Sequence, residues 1–233
     1  MRLSLSSETA LALVLPILIL GCTVPQSASD EEVHIAEEPA ATPSLGTVIE
    51  VANGGAQIAA AVTAAPPDRR DAASVYGYNG EGGFVLLRQG AGELICLADK
   101  PDDDRFQSAC YHQSLEPYMA RGRELRAEGV TGPDSFTARH AEIDAGTLAM
   151  PREAAMVYNL GGPPEMHDLD TGSVEEGLGR RVYATYIAYA SEASTGLSTT
   201  PPQAGAPWIM RPGTPSSHIM VVLEPTATAS EEE

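Results

Sequence analysis

SVYGYNGEGGFVLLRQGAGELICL, residues 74–97, decides the fold class of this chain. It contains three short runs rich in apolar and β-branched residues, at 74–78, 84–88 and 93–97, which is the composition typical of strands. The glycine-rich segments 79–83 and 90–92 lie between the runs and supply turn residues. The stretch therefore predicts an antiparallel β-meander.

The rest of the chain supplies further strands and helices. The other runs with strand composition lie at 105–112, 155–160, 181–190, 207–210 and 219–223. Helices are predicted at 56–65, between a Ser114 N-cap and a terminating Gly129, and at 134–145. Strands and helices in this arrangement indicate an α+β fold. We predict one domain over residues 50–224, with an antiparallel sheet of five to seven strands and two or three packing helices.

Tyrosines of the 181–190 segment are candidate binding residues. Because successive strand residues point to opposite faces, Tyr183 and Tyr189 would share one face and Tyr186 would lie on the other. An exposed tyrosine face can contact a ligand or partner, whereas sheet tyrosines also commonly cover part of a core. Both interpretations stay open for the three tyrosines.

The helix after Ser114 is locally basic in an otherwise acidic chain. It carries Arg121, Arg123 and Arg126, which could form a docking face for an anionic partner. The alternative is a solvated helix face on which the arginines pair with neighbouring glutamates such as Glu124 and Glu128.

Charge limits the partner classes. The chain has 32 acidic residues against 14 lysines and arginines, a formal net charge of −18. Such a surface repels phosphate backbones, so nucleic acid is not an expected partner. The acidic segments 99–104 and 161–179 could attract cations, and the second contains Glu165, His167, Asp168 and Asp170. Neither segment has the spacing of a known calcium loop, so we predict no metal site and no cofactor.

Cys96 and Cys110 form the predicted disulfide. Cys22 has a separate predicted role, which leaves an even pair for an oxidising compartment. Closing a loop of this length contributes about 3 kcal/mol in the chain-entropy model. The alternative is a free Cys110 thiol activated by His112.

No sequence motif announces catalysis. Ser216, Ser217 and His218 are chemically able groups, but the glycine-flanked turn that usually presents a nucleophilic serine is missing from the sequence. An enzymatic alternative would require at least two histidines to converge with carboxylates. The candidates are His112, His140, His167 and His218.

The apolar run LALVLPILIL (11–20) ends in Ile19-Leu20-Gly21-Cys22, which resembles the lipobox of bacterial lipoprotein precursors. This resemblance implies removal of a signal peptide, residues 1–21, and attachment of diacylglyceryl and a further acyl chain such as palmitate at Cys22. Thr23 in place of aspartate implies the outer membrane, facing the periplasm. The polar segment 22–49 would then be a tether, and the acidic tail 225–233 is predicted to be disordered.

A second resemblance concerns the C-terminal strands. The segment PWIMRPGTPSSHIMVVL (207–223) is similar to the C-terminal part of a group of bacterial exported proteins of unknown function, and the similarity extends to FVLLRQGAGELICLAD (84–99). It implies a shared fold and carries no activity or site residues with it.

These observations favour a non-enzymatic, lipid-anchored envelope protein that acts as a binding or structural module. Its partners would be the membrane, through the lipid, and an envelope protein or small ligand that the sequence does not identify. Two alternatives remain at this point. One is an envelope hydrolase or metal-dependent enzyme that uses the histidines, and the other is a protein that binds a cation or small ligand through its acidic loops.

Overall fold

The computed structural model describes residues 45–101 and 103–226. These residues form one mixed sheet of eight strands in the order β2-β1-β3-β4-β5-β6-β8-β7. The strands are β1 (Ser74–Tyr78), β2 (Phe84–Arg88), β3 (Leu94–Leu97), β4 (Phe106–His112), β5 (Ala155–Gly162), β6 (Arg180–Tyr186), β7 (Trp208–Met210) and β8 (His218–Leu223). The helices are α1 (Gly54–Ala61), α2 (Glu116–Ala127), α3 (Gly132–Asp144) and α4 (Glu192–Thr195).

The sheet confirms the α+β class but corrects the predicted sheet. It has eight strands instead of five to seven, and β1 pairs with β3 in parallel, so the stretch 74–97 is not a simple meander. After β2 the chain crosses the start of β1, where a Cβ on Gly90 would lie 2.1 Å from the Ala72 carbonyl oxygen. Only glycine fits that approach, and it permits the crossover.

Small residues pack α1 onto one face of the sheet. Ala60 and Ala61 in α1, with Ala64 in the following 3-10 turn, are at most 1% exposed. They pack in one core cluster with both half-cystines, Cys96 and Cys110. Alanine suits this position because its short side chain favours the helix and allows the helix to approach the sheet closely.

The Cys96–Cys110 disulfide joins β3 to β4 within this core. The two cysteines lie directly opposite each other in the antiparallel ladder, and both are 0% exposed. The predicted pairing is confirmed, so Cys110 is not a free thiol beside His112.

Helices α2 and α3 cover part of the opposite face. Tyr118 and Leu125 are the buried residues of α2, and Leu115, just before the helix, belongs to the core cluster that contains Ile95 and Tyr111. The α-helix begins at Glu116, later than the predicted Ser114 cap, because a 3-10 turn, Gln113–Leu115, precedes it.

The glycine-rich segment between β5 and β6 is folded against α1. Met166 is 2% exposed, and the Glu176 carboxylate accepts hydrogen bonds from Arg70 and Arg181. Arg70 and Arg181 also donate to the carbonyl of Thr63. Met166 and these hydrogen bonds therefore attach the segment to the core, while Leu169 in the same segment is 70% exposed.

Two other expectations differ from the structure. Residues 45–49, assigned to the tether, contact the sheet, because Val48 bridges to Leu86 and the Tyr76 hydroxyl donates to the Leu45 carbonyl. The strand predicted at 181–190 ends at Tyr186, and Tyr189 has a φ of 61°, so Tyr189 does not share a strand face with Tyr183.

Among the described residues, none of the helices has the length and apolar composition needed to span a bilayer.

Candidate functional site

A cleft of about 970 Å³ lies where α2 ends and the sheet face beyond it is left open. Its floor includes one row of residues across four strands, Leu97, Ala109, Asn159 and Val182, which are register partners from β3 to β6. Three interstrand spacings make this row about 14 Å wide. The cleft therefore has room for a ligand of several ring or chain units.

Basic side chains dominate the lining of the cleft. It contains five of the chain's 14 lysines and arginines, namely Lys100, Arg105, Arg123, Arg126 and Arg180. Among the described lining residues only two are acidic, Asp99 and Asp103. In a chain of net charge −18, this local excess of positive charge distinguishes the cleft from the rest of the surface.

Arg123 has a structural role in the wall of the cleft. Its guanidinium donates a 2.6 Å hydrogen bond to Glu116 and a 2.9 Å hydrogen bond to the Tyr111 hydroxyl. It also lies 5.5 Å from the centre of the Tyr76 ring and 5.4 Å from that of Phe84. Because Glu116 offsets its charge, Arg123 contributes less to the field in the cleft than an unpaired arginine would.

The other four cations of the lining are unpaired or only weakly paired among the described residues, so they are available to bind a ligand. Within residues 45–101 and 103–226, Lys100, Arg105 and Arg126 form no ion pair. Arg180 has one exposed partner, Glu224, at 3.8 Å. Exposed pairs of this kind are weak, so a bound anion can compete with Glu224 for Arg180.

Aromatic rings form the wall opposite Arg180. Tyr78 and Phe84 contact each other edge to face, with ring centres 5.3 Å apart. Burial raises the pKa of Tyr78, and the positive charge of Arg126 acts in the opposite direction, which places Arg126 within electrostatic reach of the phenol. The cleft thus combines positive charge with an apolar surface on which a flat group can pack.

Asp99 separates the cleft from a smaller cavity of about 280 Å³, because it lines both. Its carboxylate accepts a 2.9 Å hydrogen bond from the backbone N–H of Gln107 and lies 3.8 Å from Nδ1 of His167. Burial raises the pKa of Asp99 to about 6, and the nearby charge of Asp103 acts in the same direction. Protonation of Asp99 would make the lining more positive below that pH.

The structure divides the predicted arginine face. Arg123 and Arg126 line the cleft, whereas Arg121 points to α3 and pairs with Glu142, Glu124 and Glu128. Arg121 is therefore paired with glutamates, as the alternative interpretation expected. An anion-binding role for Arg126 stays a prediction.

The three candidate tyrosines lie in three different places. Tyr183 is on the sheet face opposite the cleft, where its ring contacts Tyr158 at 5.6 Å. Tyr189 is 53% exposed and donates a hydrogen bond to Asp144. Tyr186 faces α2 and α3, and its ring stacks on His218 at 4.7 Å. They do not form a common binding surface.

The candidate histidines do not converge on one site either. Nδ1 of His112 accepts the backbone N–H of Ser114, and His167 lies beside Asp99. His140 and His218 both contact Ser216, one through the serine Oγ at 2.7 Å and the other through its carbonyl oxygen at 2.7 Å. Ser216 is 1% exposed, so its hydroxyl is not accessible to a substrate.

The acidic segments do not build a metal site in the part of the chain that the structure describes. No group of three or more histidine, cysteine, aspartate or glutamate side chains there could hold a metal ion. Asp168 instead accepts hydrogen bonds from the Asp170 and Thr171 amides, which lower its pKa. Glu165 is exposed at the surface of the same segment.

Sequence reasoning missed Lys100, Arg105 and Arg180 as site residues. In the register, Gly161 pairs with both Gln107 and Arg180, which places Arg180 two strands from Gln107. Arg105 lies two residues before Gln107, at the same end of the sheet. Arg105 directly precedes β4 and Arg180 is the first residue of β6, but nothing in the local sequence indicates that the two strands place them at one cleft.

Comparisons with family models, with curated proteins and with solved structures found no match to this chain. The cleft must therefore be interpreted from its own chemistry.

Proposed function

We propose that this protein is a lipid-anchored envelope protein whose folded part is a non-enzymatic module that binds an organic anion in the arginine-lined cleft. The observation that carries the proposal is the concentration of five of 14 basic residues around one cleft of a chain with net charge −18. The ligand class is an anion with a flat or apolar part, matched to the arginines on one side and to Tyr78 and Phe84 on the other.

Physical chemistry favours binding at this place. The positive lining attracts an anion that the rest of the surface repels, and the floor of the cleft reduces screening by solvent. Arg126, Arg105 and Lys100 have no ion pair to break among the described residues, so little is lost when a ligand replaces water. A volume of about 970 Å³ is at the upper end of small-molecule sites.

The composition of the lining favours binding over catalysis. The described residues that line the cleft include neither histidine nor cysteine. Asp99 is the lining carboxyl whose pKa is strongly raised. Among the described residues, no hydrogen bond joins it to a nucleophilic side chain.

The anchor rests on residues 1–22, which lie outside the described residues. Cys22, the residue that directly follows the 1–21 signal peptide, is the proposed lipidation site. Each buried methylene contributes about 0.8 kcal/mol, so more than one acyl chain is needed for stable attachment. The proposed location is the outer membrane, facing the periplasm. The intact mass of the membrane-extracted protein tests this, because a chain that begins at Cys22 with added acyl mass is expected.

The cleft is tested with two dyes of matched shape. Anilinonaphthalene sulfonate carries a negative charge and aromatic rings, and N-phenylnaphthylamine has the same rings without the charge. We expect the anionic dye to bind more tightly by fluorescence titration, and added salt to weaken it. Arg105→Ala and Arg126→Ala are each expected to weaken it about tenfold, since a hydrogen bond to a charged group is lost.

Arg152→Ala is the matched control, because Arg152 is exposed and does not line the cleft. It removes the same charge and is expected to change the affinity less than twofold. Equal affinity for the two dyes, or an equal loss in the control, would refute the cleft as the anion site.

A further inference from the structure

A second, inner cavity of about 300 Å³ lies between α2, α3 and the sheet. Its lining is largely apolar and includes Leu97, Met119, Val130, Phe136 and Tyr186. A cavity of this size is at the lower limit of small-molecule sites. Two polar groups beside it lack a full set of partners among the described residues.

The first group is the guanidinium of Arg139, a residue that is only 7% exposed. Its Nε donates to the Ser135 carbonyl and its Nη1 to the Tyr118 carbonyl, and it packs 4.1 Å from the centre of the Tyr118 ring. Among the described residues no carboxylate pairs with it. A buried charge is usually paired, because desolvation is costly.

The electrostatic surroundings of Arg139 are positive. The Arg211 guanidinium lies 3.3 Å from the centre of the Phe136 ring, and Arg139 lies 4.9 Å from the same ring. Burial lowers the pKa of Arg139, and the charges of Arg211 and Arg126 lower it further. Among the described residues, only Tyr118 and Tyr186 act in the opposite direction on the pKa of Arg139, and neither is a carboxylate.

The second group is the Tyr118 hydroxyl. Tyr118 is 1% exposed, and its hydroxyl has no hydrogen-bond partner in the described structure. Buried hydroxyls are almost always hydrogen-bonded, since leaving one unpaired costs free energy. Because its oxygen exposes less than 1 Å², this hydroxyl does not face the cavity. The cation without a carboxylate partner is therefore the group that points to a missing anion.

The lack of a side chain at Gly122 of α2 leaves room for the Arg139 guanidinium. A Cβ at residue 122 would lie 2.9 Å from Nη1 of Arg139, so the guanidinium packs where α2 has no side chain. The sequence thus leaves space for the cation at the wall of the cavity.

We propose that the inner cavity is a binding site for a small organic acid whose carboxylate pairs with Arg139. Arg139 offers the paired N–H donors that match a carboxylate, and the apolar walls take a short ring or alkyl body. The cavity shares Leu97, Arg123 and Arg126 with the larger cleft but does not involve Arg105 or Arg180. The proposal therefore does not depend on the cleft being a binding site.

Benzoate and hexanoate are the probes, and benzamide and hexanamide are their uncharged counterparts. Titration calorimetry on the purified full-length chain at neutral pH is expected to show binding of at least one acid in the millimolar range or tighter. The matching amide is expected to bind at least tenfold more weakly, because it cannot neutralise Arg139. The acid that binds is also expected to raise the Tm.

Two variants separate a ligand-binding role from a structural one. Arg139→Met keeps an apolar stem and is expected to weaken the acid at least tenfold. Arg105→Ala, in the cleft, is expected to change the affinity less than twofold.

The proposal is overturned if neither acid binds at millimolar concentration, or if each amide binds as tightly as its acid. An unchanged acid affinity in Arg139→Met would also overturn it. Dye binding in the cleft can succeed or fail independently of these results.

Discussion

The Arg123 guanidinium and the Glu116 carboxylate are 2.6 Å apart, and the Tyr111 hydroxyl contacts both. The arginine and glutamate side chains are 22% and 18% exposed, so the pair is largely shielded from water. Tyr111 is in the sheet and the other two residues are in α2, so this network fixes the helix that forms one wall of the cleft.

Glu116→Gln is expected to destabilise the protein by about 2 kcal/mol in urea unfolding, because Arg123 and Tyr111 would lose their charged partner. Glu128→Gln is the control, since its carboxylate is 57% exposed and meets Arg121 at 3.4 Å. The control is expected to cost less than about 0.5 kcal/mol. Similar losses in the two variants would contradict the importance of this buried pair.

Asp99 is expected to make stability depend on pH. Its folded-state pKa of about 6 is above the ordinary value, so between about pH 4 and pH 6 the folded protein binds more protons than the unfolded chain. The contribution of Asp99 to the free energy of unfolding therefore falls as the pH rises through this range. Above this pH range Asp99 is ionised in the folded protein, and burial of its charge lowers the free energy of unfolding by its full amount.

Asp99→Asn is thus expected to be more stable than the parent by about 1 kcal/mol near pH 7, a value discounted for partial exposure. This difference should shrink as the pH falls toward 4. His140 and His218, whose pKa values burial lowers, contribute the opposite slope in both proteins and cancel in the difference. The difference therefore reports Asp99 together with its neighbour His167, 3.8 Å away. A constant difference between pH 7 and pH 4 would show that Asp99 does not titrate in this range.

The disulfide is expected to be a major source of stability. The double variant Cys96→Ala/Cys110→Ala should lower the free energy of unfolding by about 3 kcal/mol, because the unfolded chain regains the freedom that the bridge removes. Urea unfolding with and without reductant measures the effect. Reductant should lower the midpoint of the parent and leave that of the variant unchanged, and a parent insensitive to complete reduction would contradict the prediction.

Gly172 is expected to be essential for packing of the segment between β5 and β6. Its φ is +72°, and a Cβ there would lie 2.1 Å from the Ala56 carbonyl oxygen in α1. Gly146 has nearly the same φ, +73°, with nothing within 4 Å of the corresponding position. The two glycines therefore share the backbone strain of a substitution but differ in the clash.

Gly146→Ala is expected to cost about 1 kcal/mol, the strain of a left-handed alanine. Gly172→Ala should cost at least about 2 kcal/mol more and expose the segment to limited proteolysis, because α1 and the segment must separate. Equal Tm values for the two variants would mean that the segment can shift without loss.

The sequence by itself determined the α+β class, the approximate positions of the helices and most strands, and the Cys96–Cys110 pair. These features follow from local composition, turn residues and cysteine number, which act over short stretches of chain. It also singled out Arg126, because three arginines on one helix are visible without a fold.

Tertiary structure alone decided the parallel pairing of β1 with β3, the end of β6 before Tyr189, and both cavities. Strand order depends on contacts between residues far apart in the chain, and no local pattern encodes it. Arg105, Arg126 and Arg180 meet only because the sheet and α2 bring three separate segments together. Arg139 looks like any surface arginine of a polar helix, and only the packing of α2, α3 and the sheet leaves its charge buried without a described carboxylate.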